Sequence, residues 1–398
     1  MRKPKEPAHK YGAALYGAVW LPGEFAFMAG GGGHGLEDKI VVVRCAGGQP
    51  SEEIGKLSLG KGRTPYRMLA HPSGRQFVFA DQPKGNLHRV DVAQRPHSEP
   101  PELVLDPGDF AERASPLAAI NCLAFSRDGR VLALGGEDGS ITLLDWPSLT
   151  QRQKWVASTT EIRTLEISAP HGNGAVLSID QSGACIIWDA RNGEEILQLK
   201  QPTDMPRSKP LWGRFVLHSD GAISLFLITV WRQEGYLQQW VQDETGDIQY
   251  VRRRRLADAP CPIADISPWG DLIACGSSEG DIVVVSTQSL KPVRYVRGAH
   301  MVYGTAVSFS PDASALLSVS SDASAVVVPL RRGAAGIAGD NSGGGALGVV
   351  LTVLAVLMAL VAVVLGLYIR LRPTELPPWV PPELVGLITG QPVYMSVG

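Results

Sequence analysis

The sequence predicts an all-β fold, a seven-bladed WD-type β-propeller followed by one C-terminal transmembrane helix, on three observations. A two-strand pattern recurs along residues 1–330, its spacing fits no helical period, and an uncharged apolar run stands near the end of the chain. The recurring pattern is a polar turn, an apolar run, a Gly or Asp turn and a second apolar run. It is clearest in SRDGRVLALGGEDGSITLLDW from Ser126 and SPDASALLSVSSDASAVVVPL from Ser310, and looser from His71 and Ser219. Short paired strands repeating at this length mark propeller blades.

The inner-turn positions Gly35, Gly85, Gly139, Gly183, Gly235, Gly280 and Ala323 lie 43 to 54 residues apart and give seven units. Trp188-Asp189 carries the dipeptide signature of such repeats, and Asp145-Trp146 carries it reversed. A single blade cannot cover both faces of its sheet, so the blades must close into a ring. Lys10 to Tyr16 is the expected closing strand.

Residues 1–332 are read as a cytosolic propeller, 333–345 as a Gly-rich linker, 346–369 as the transmembrane helix and 370–398 as a short luminal tail. Ala346 to Ile369 holds no charge, and its 24 residues would reach about 36 Å as a helix, enough for a hydrocarbon core of about 30 Å. Arg331 and Arg332 before the span balance Arg370 and Arg372 after it, so flanking charge does not set the orientation. The N-terminal stretch lacks the apolar region of a signal peptide. The five cysteines (Cys45, Cys122, Cys185, Cys261 and Cys275) are odd in number and form no C-x-x-C pair. Both point to a reduced, cytosolic propeller with the tail in the lumen.

Thirty-seven basic residues against 39 acidic ones leave a net charge of −2, so no global field draws the protein to nucleic acid. Gly30, Gly32 and Gly35 satisfy G-x-G-x-x-G, but Ile40 to Val43 reads as a strand, where a dinucleotide site needs a helix N-terminus. The stretch Gly55 to Gly62 nearly spells a P-loop, yet Gly62 stands where a magnesium-binding hydroxyl belongs. Gly276 to Gly280 spells G-x-S-x-G at the place of an inter-strand turn, which leaves Ser278 no nucleophile's role. Arg252 to Arg255 is read as a solvated loop between blades, and the scattered histidines lack zinc-site spacing. With no hydrolytic or redox constellation, the chain is read as a regulatory protein and not an enzyme.

The remaining feature is the glycine-dense connection in the first blade, Met28 to Ile40. Four consecutive glycines, Gly30 to Gly33, cost more entropy to order than a plain hairpin would demand. Such a loop exposes carbonyls and suits wrapping an ion or close approach to a partner. Because these glycines belong to a connection, replacing Gly31 and Gly32 by Val is expected to disturb a partner more than the fold.

Tyr16-Gly17-Ala18-Val19-Trp20, the Gly30 to Lys39 loop, Arg75 to Ala80 and the single C-terminal span together resemble the endoplasmic-reticulum WD-repeat exchange factors that activate the small GTPase of the COPII coat, the prolactin regulatory element-binding protein family. The resemblance implies a guanine nucleotide exchange factor, monomeric in its propeller, acting at the endoplasmic reticulum membrane in transport to the Golgi. It implies a GTPase-engaging role for Leu36, Glu37 and Asp38, with the two carboxylates at the loop's tip. It also implies potassium held by main-chain carbonyls of Gly30, Gly31, Gly32, Gly33 and Gly35. Asp38 stands where the family carries asparagine, keeping the length and an acceptor but losing the amide donor. Two alternatives stay open: an exchange-inactive trafficking facilitator like that of plant phosphate transporters, and a generic membrane-tethered scaffold. DNA binding conflicts with the span and the balanced charge.

Overall fold

The computed structural model describes residues 8–330 except 32–35, 47–48, 94, 96–98, 118, 169–173, 219–220 and 244–245. These residues form seven antiparallel sheets. Blade one contains Leu15–Trp20, Phe25–Gly30, Asp38–Ala46 and Gly55–Gly60, with a short strand Gln49–Pro50 beside the third. Blade seven contains Gly304–Phe309, Ala315–Ser320 and Ser324–Pro329, and its fourth strand is His9–Lys10 from the start of the chain.

Burial explains the strand composition. In blade six the second strand, Leu272–Gly276, and most of the third, Ile282–Ser286, are apolar and buried. They have to be, because neighbouring blades cover both faces of each sheet. Leu272, Ala274 and Val284 of blade six pack with Val307, Leu316 and Val326 of blade seven. Leu317, Val319 and Val327 on the other face of blade seven pack with Ala18, Met28 and Val41 of blade one. The core is therefore a ring of inter-blade layers.

Six innermost strands share one irregularity, a register shift near their start, at Leu15/Gly17, Tyr66/Leu69, Ile120/Cys122, Ile162/Thr164, Pro210/Trp212 and Gly304/Ala306. Each shift is a β-bulge that bends the strand and frees a residue from the ladder. Some of the freed side chains tie one blade to the next. Thr305 Oγ1 donates to the Leu15 carbonyl at 2.7 Å, and Asn121 Nδ2 to the Ile162 carbonyl at 2.9 Å. Thr164 Oγ1, at the end of its own bulge, donates to the Leu211 carbonyl at 2.9 Å. The inner strands enclose an axial cavity of about 480 Å³.

Several expectations change on inspection. The closing strand is His9–Lys10 alone: Gly12, at φ +74°, redirects the chain, and Leu15 and Tyr16 enter the inner strand of blade one. Gly235 is not a turn residue but lies in Glu234–Gln242. The turn is Arg232 and Gln233, both left-handed, and glycine is needed at 235 because a Cβ there would sit 2.7 Å from Cys261 Sγ. Arg252 to Arg255 belong to the outer strand Ile248–Ala257 and not to a loop. Among the described residues no helix is long and apolar enough to cross a membrane, and the expected span lies outside them. All five cysteines are unpaired, and four of them are buried.

Candidate functional site

The connections between second and third strands all open on one end of the ring, and most are closed by a carboxylate. Asp81 Oδ1 accepts the Asn86 N–H at 2.8 Å, Asp138 Oδ1 that of Ser140 at 2.9 Å, and Asp322 Oδ1 that of Ser324 at 2.8 Å. Each acid ends or follows the second strand and locks its own hairpin in a few residues. Blade one is built otherwise. Its connection runs from residue 31 to 37, and its aspartate comes after the loop, as the first residue of Asp38–Ala46.

That position changes what Asp38 does. It is fully buried, with Oδ1 accepting the Thr64 hydroxyl at 2.8 Å and Oδ2 the Arg63 N–H at 3.0 Å. The carboxylate therefore joins the foot of the loop to the entry of blade two. The expectation that it stands at the tip is corrected: a buried carboxylate needs its bonds satisfied within the protein, and these partners satisfy them. Leu36 and Glu37 do face solvent, Leu36 at 48% exposure, and the Ser58 hydroxyl donates to the Glu37 carboxylate.

Gly30 ends its strand and Gly31 begins the loop at φ +115°, its N–H donating to the Ala14 carbonyl at 3.1 Å. A Cβ on Gly31 would lie 2.3 Å from the Glu37 carbonyl oxygen, and one on Gly30 2.6 Å from that of Ala14. These two glycines are thus required by close backbone approach, contrary to the expectation that Gly31 is free of the fold. Gly32, Gly33 and Gly35 lie outside the described residues. Both carboxylate oxygens of Asp38 are instead engaged by the entry of blade two.

Two features at this end of the ring escaped sequence reasoning. Met301, Val302 and Tyr303, in the connection into blade seven, are 62%, 42% and 51% exposed. They open on the same end as the first-blade loop. Their only signal was three consecutive large apolar residues where a polar connection is usual. On the other side Lys61, Arg63 and Lys84 rim a cavity of about 350 Å³ with His88, Asp81 and Asp106. Burial works against the His88 cation, but Asp106 at 2.8 Å and Asp81 at 3.3 Å outweigh it and raise its pKa to about 9. Ser278 lies in the turn between Leu272–Gly276 and Ile282–Ser286, as its spacing predicted.

The architecture defines a seven-bladed WD-repeat propeller whose first-blade connection ends in the solvent-facing Leu36 and Glu37. The family described as WD domain, G-beta repeat matches residues 114–145, which hold the first three strands of blade three. The chain is 25% identical over 311 residues to SEC12-like protein 2 of Arabidopsis thaliana, covering 76% of this chain and 74% of that protein. It is 24% identical over 220 residues to SEC12-like protein 1 of the same plant, 52% of this chain and 50% of that protein. It is also 24% identical over 217 residues to the mouse guanine nucleotide-exchange factor SEC12, 51% of this chain and 49% of that protein. Fold and likenesses together fit a SEC12-family WD protein.

Proposed function

We propose that this chain is a guanine nucleotide exchange factor of SEC12 type, held at the endoplasmic reticulum membrane, that activates the small GTPase initiating COPII coat assembly. The observation that carries the reading is the first-blade loop, whose exposed Leu36 and Glu37 follow glycines and whose foot is pinned by buried Asp38. An exchange factor accelerates nucleotide release only by binding the nucleotide-free GTPase more tightly than the loaded one. Leu36 offers apolar surface to a switch segment, and Glu37 brings negative charge towards the magnesium and phosphate pocket. A differential of about 3 kcal/mol is worth roughly a hundredfold in nucleotide affinity. Asp38 acts as a positioning residue, holding the loop's foot against blade two. Potassium held by main-chain carbonyls of Gly30, Gly31, Gly32, Gly33 and Gly35 belongs to the same proposal. The protein itself does no bond-breaking chemistry, and its propeller works as a monomer.

The alternative reading is an exchange-inactive trafficking facilitator. Release of labelled GDP from the GTPase, measured with the purified full chain, separates them. Acceleration that Leu36→Ala weakens supports exchange. Binding at an unchanged release rate establishes the facilitator, and no binding leaves a membrane-tethered scaffold.

A further inference from the structure

We propose that the axial cavity is a binding site for a small tetrahedral oxyanion of the phosphate type, with Arg67 as its principal ligand. This inference does not depend on exchange activity. The inner strands place three arginines on the cavity wall, Arg67, Arg163 and Arg214, against one carboxylate, Asp265. Arg163 pairs with Glu161 at 2.5 Å, and Arg214 pairs with Glu166 at 3.2 Å while donating to the Leu165 carbonyl at 3.0 Å. Asp265 Oδ2 accepts the Phe309 N–H at 2.9 Å.

Arg67 has no such partner. It makes no hydrogen bond or ion pair among the described residues, its Nε is buried, and its guanidinium stacks 4.9 Å from the Tyr66 ring centroid. A guanidinium whose charge meets no carboxylate in a partly closed cavity is a strong, directional donor for an anion. The backbone gives independent support. Arg67 sits in the bulge of its strand at φ +54°, a left-handed conformation that costs a non-glycine residue about 1 kcal/mol. Glycine would relieve that strain, so an arginine there points to a use for its side chain. A cavity of about 480 Å³ has room for a phosphate with further atoms attached.

Calorimetric titration of the full chain with inorganic phosphate and with sulfate, against chloride and acetate at matched ionic strength, tests the site. Saturable one-to-one binding of the tetrahedral anions is expected, weakened about tenfold or more by Arg67→Gln. Arg67→Gly is expected to lose binding equally while its melting temperature holds or rises. Arg254→Gln, on the exposed outer strand of blade five, is expected to bind as wild type. Three results would overturn the proposal: no saturable binding, equal binding by acetate, or Arg67→Gln binding phosphate as tightly as wild type. Should Arg67→Gly melt early or fail to fold, the arginine is structural and the strain argument falls.

Discussion

Asp38 shows how one side chain can be placed correctly in a loop and wrongly in its role. Its neighbours in sequence are solvated, but its bonding partners arrive 25 and 26 residues later, from the turn into blade two. Removing the carboxylate strands a buried N–H and a hydroxyl, which costs about 1–3 kcal/mol. Asp38→Leu is therefore expected to lower the melting temperature by several degrees, and Asp38→Asn by less, since the amide oxygen still accepts one bond. Gly31→Val is expected to destabilise the fold at least as much, because it adds a Cβ clash to a left-handed φ. Leu36→Ala, at an exposed position, is expected to melt with wild type while slowing GDP release. Thermal melts of these four variants, beside the release assay, separate the loop's foot from its tip.

At the scale of elements, ring closure rests on a two-residue strand. His9 and Lys10 face Ala325 and Ser324, the Tyr11 N–H donates to the Ala323 carbonyl at 2.9 Å, and the Tyr11 hydroxyl to that of Ser51 at 2.6 Å. Deleting residues 1–11 would expose the edge of blade seven and unseat the contact between blades seven and one. The expected result is a cooperative loss of stability and faster amide exchange in Ser324–Pro329 than in the strands of blade four. Exchange rates uniform around the ring would show that the short strand does not hold it closed. The strand pattern itself was legible from sequence because alternation and turn glycines are local. Gly85, Gly139, Gly183 and Gly280 all adopt left-handed φ, as does Ala323. Gly235 misled because its blade turns on Arg232 and Gln233, where no glycine marks the place.

Across the whole molecule, one buried and one half-buried histidine set opposite pH limits. Burial pushes His300 down to about 4, its ring held between the hydroxyls of Ser324 at 2.7 Å and Ser318 at 2.8 Å. The unfolded chain binds this proton near pH 6.5, so the stability that depends on neutral His300 is lost as pH falls from there towards 4. His88 is raised to about 9, so its contribution is complete below about 6.5 and is lost as pH rises to 9. The melting temperature is expected to peak near pH 6–7. His300→Gln should flatten the acid side and His88→Asn the alkaline side. A profile unchanged by both substitutions would refute the assignment. Topology is testable at the same scale. With the proposed membrane span, protease added to sealed microsomes should digest the propeller and spare the proposed tail, and the reverse would mean that the arginines after the proposed span set the orientation.

The amino-acid pattern alone determined that the chain is a repeat of short strand pairs, seven in number, because hydrophobic alternation and turn residues act within each blade. It also marked the first-blade connection as unusual, since four glycines in a row are visible without any partner. Tertiary structure alone decided that Asp38 is buried, that Gly30 and Gly31 are held by backbone contact, and that Arg67 faces the axial cavity. Each of these depends on atoms supplied from elsewhere in the chain, Glu37 lying 6 residues beyond Gly31 and Arg63 25 residues beyond Asp38. No periodicity encodes such a meeting. The ring brings those atoms within bonding distance only once every blade has closed against the next.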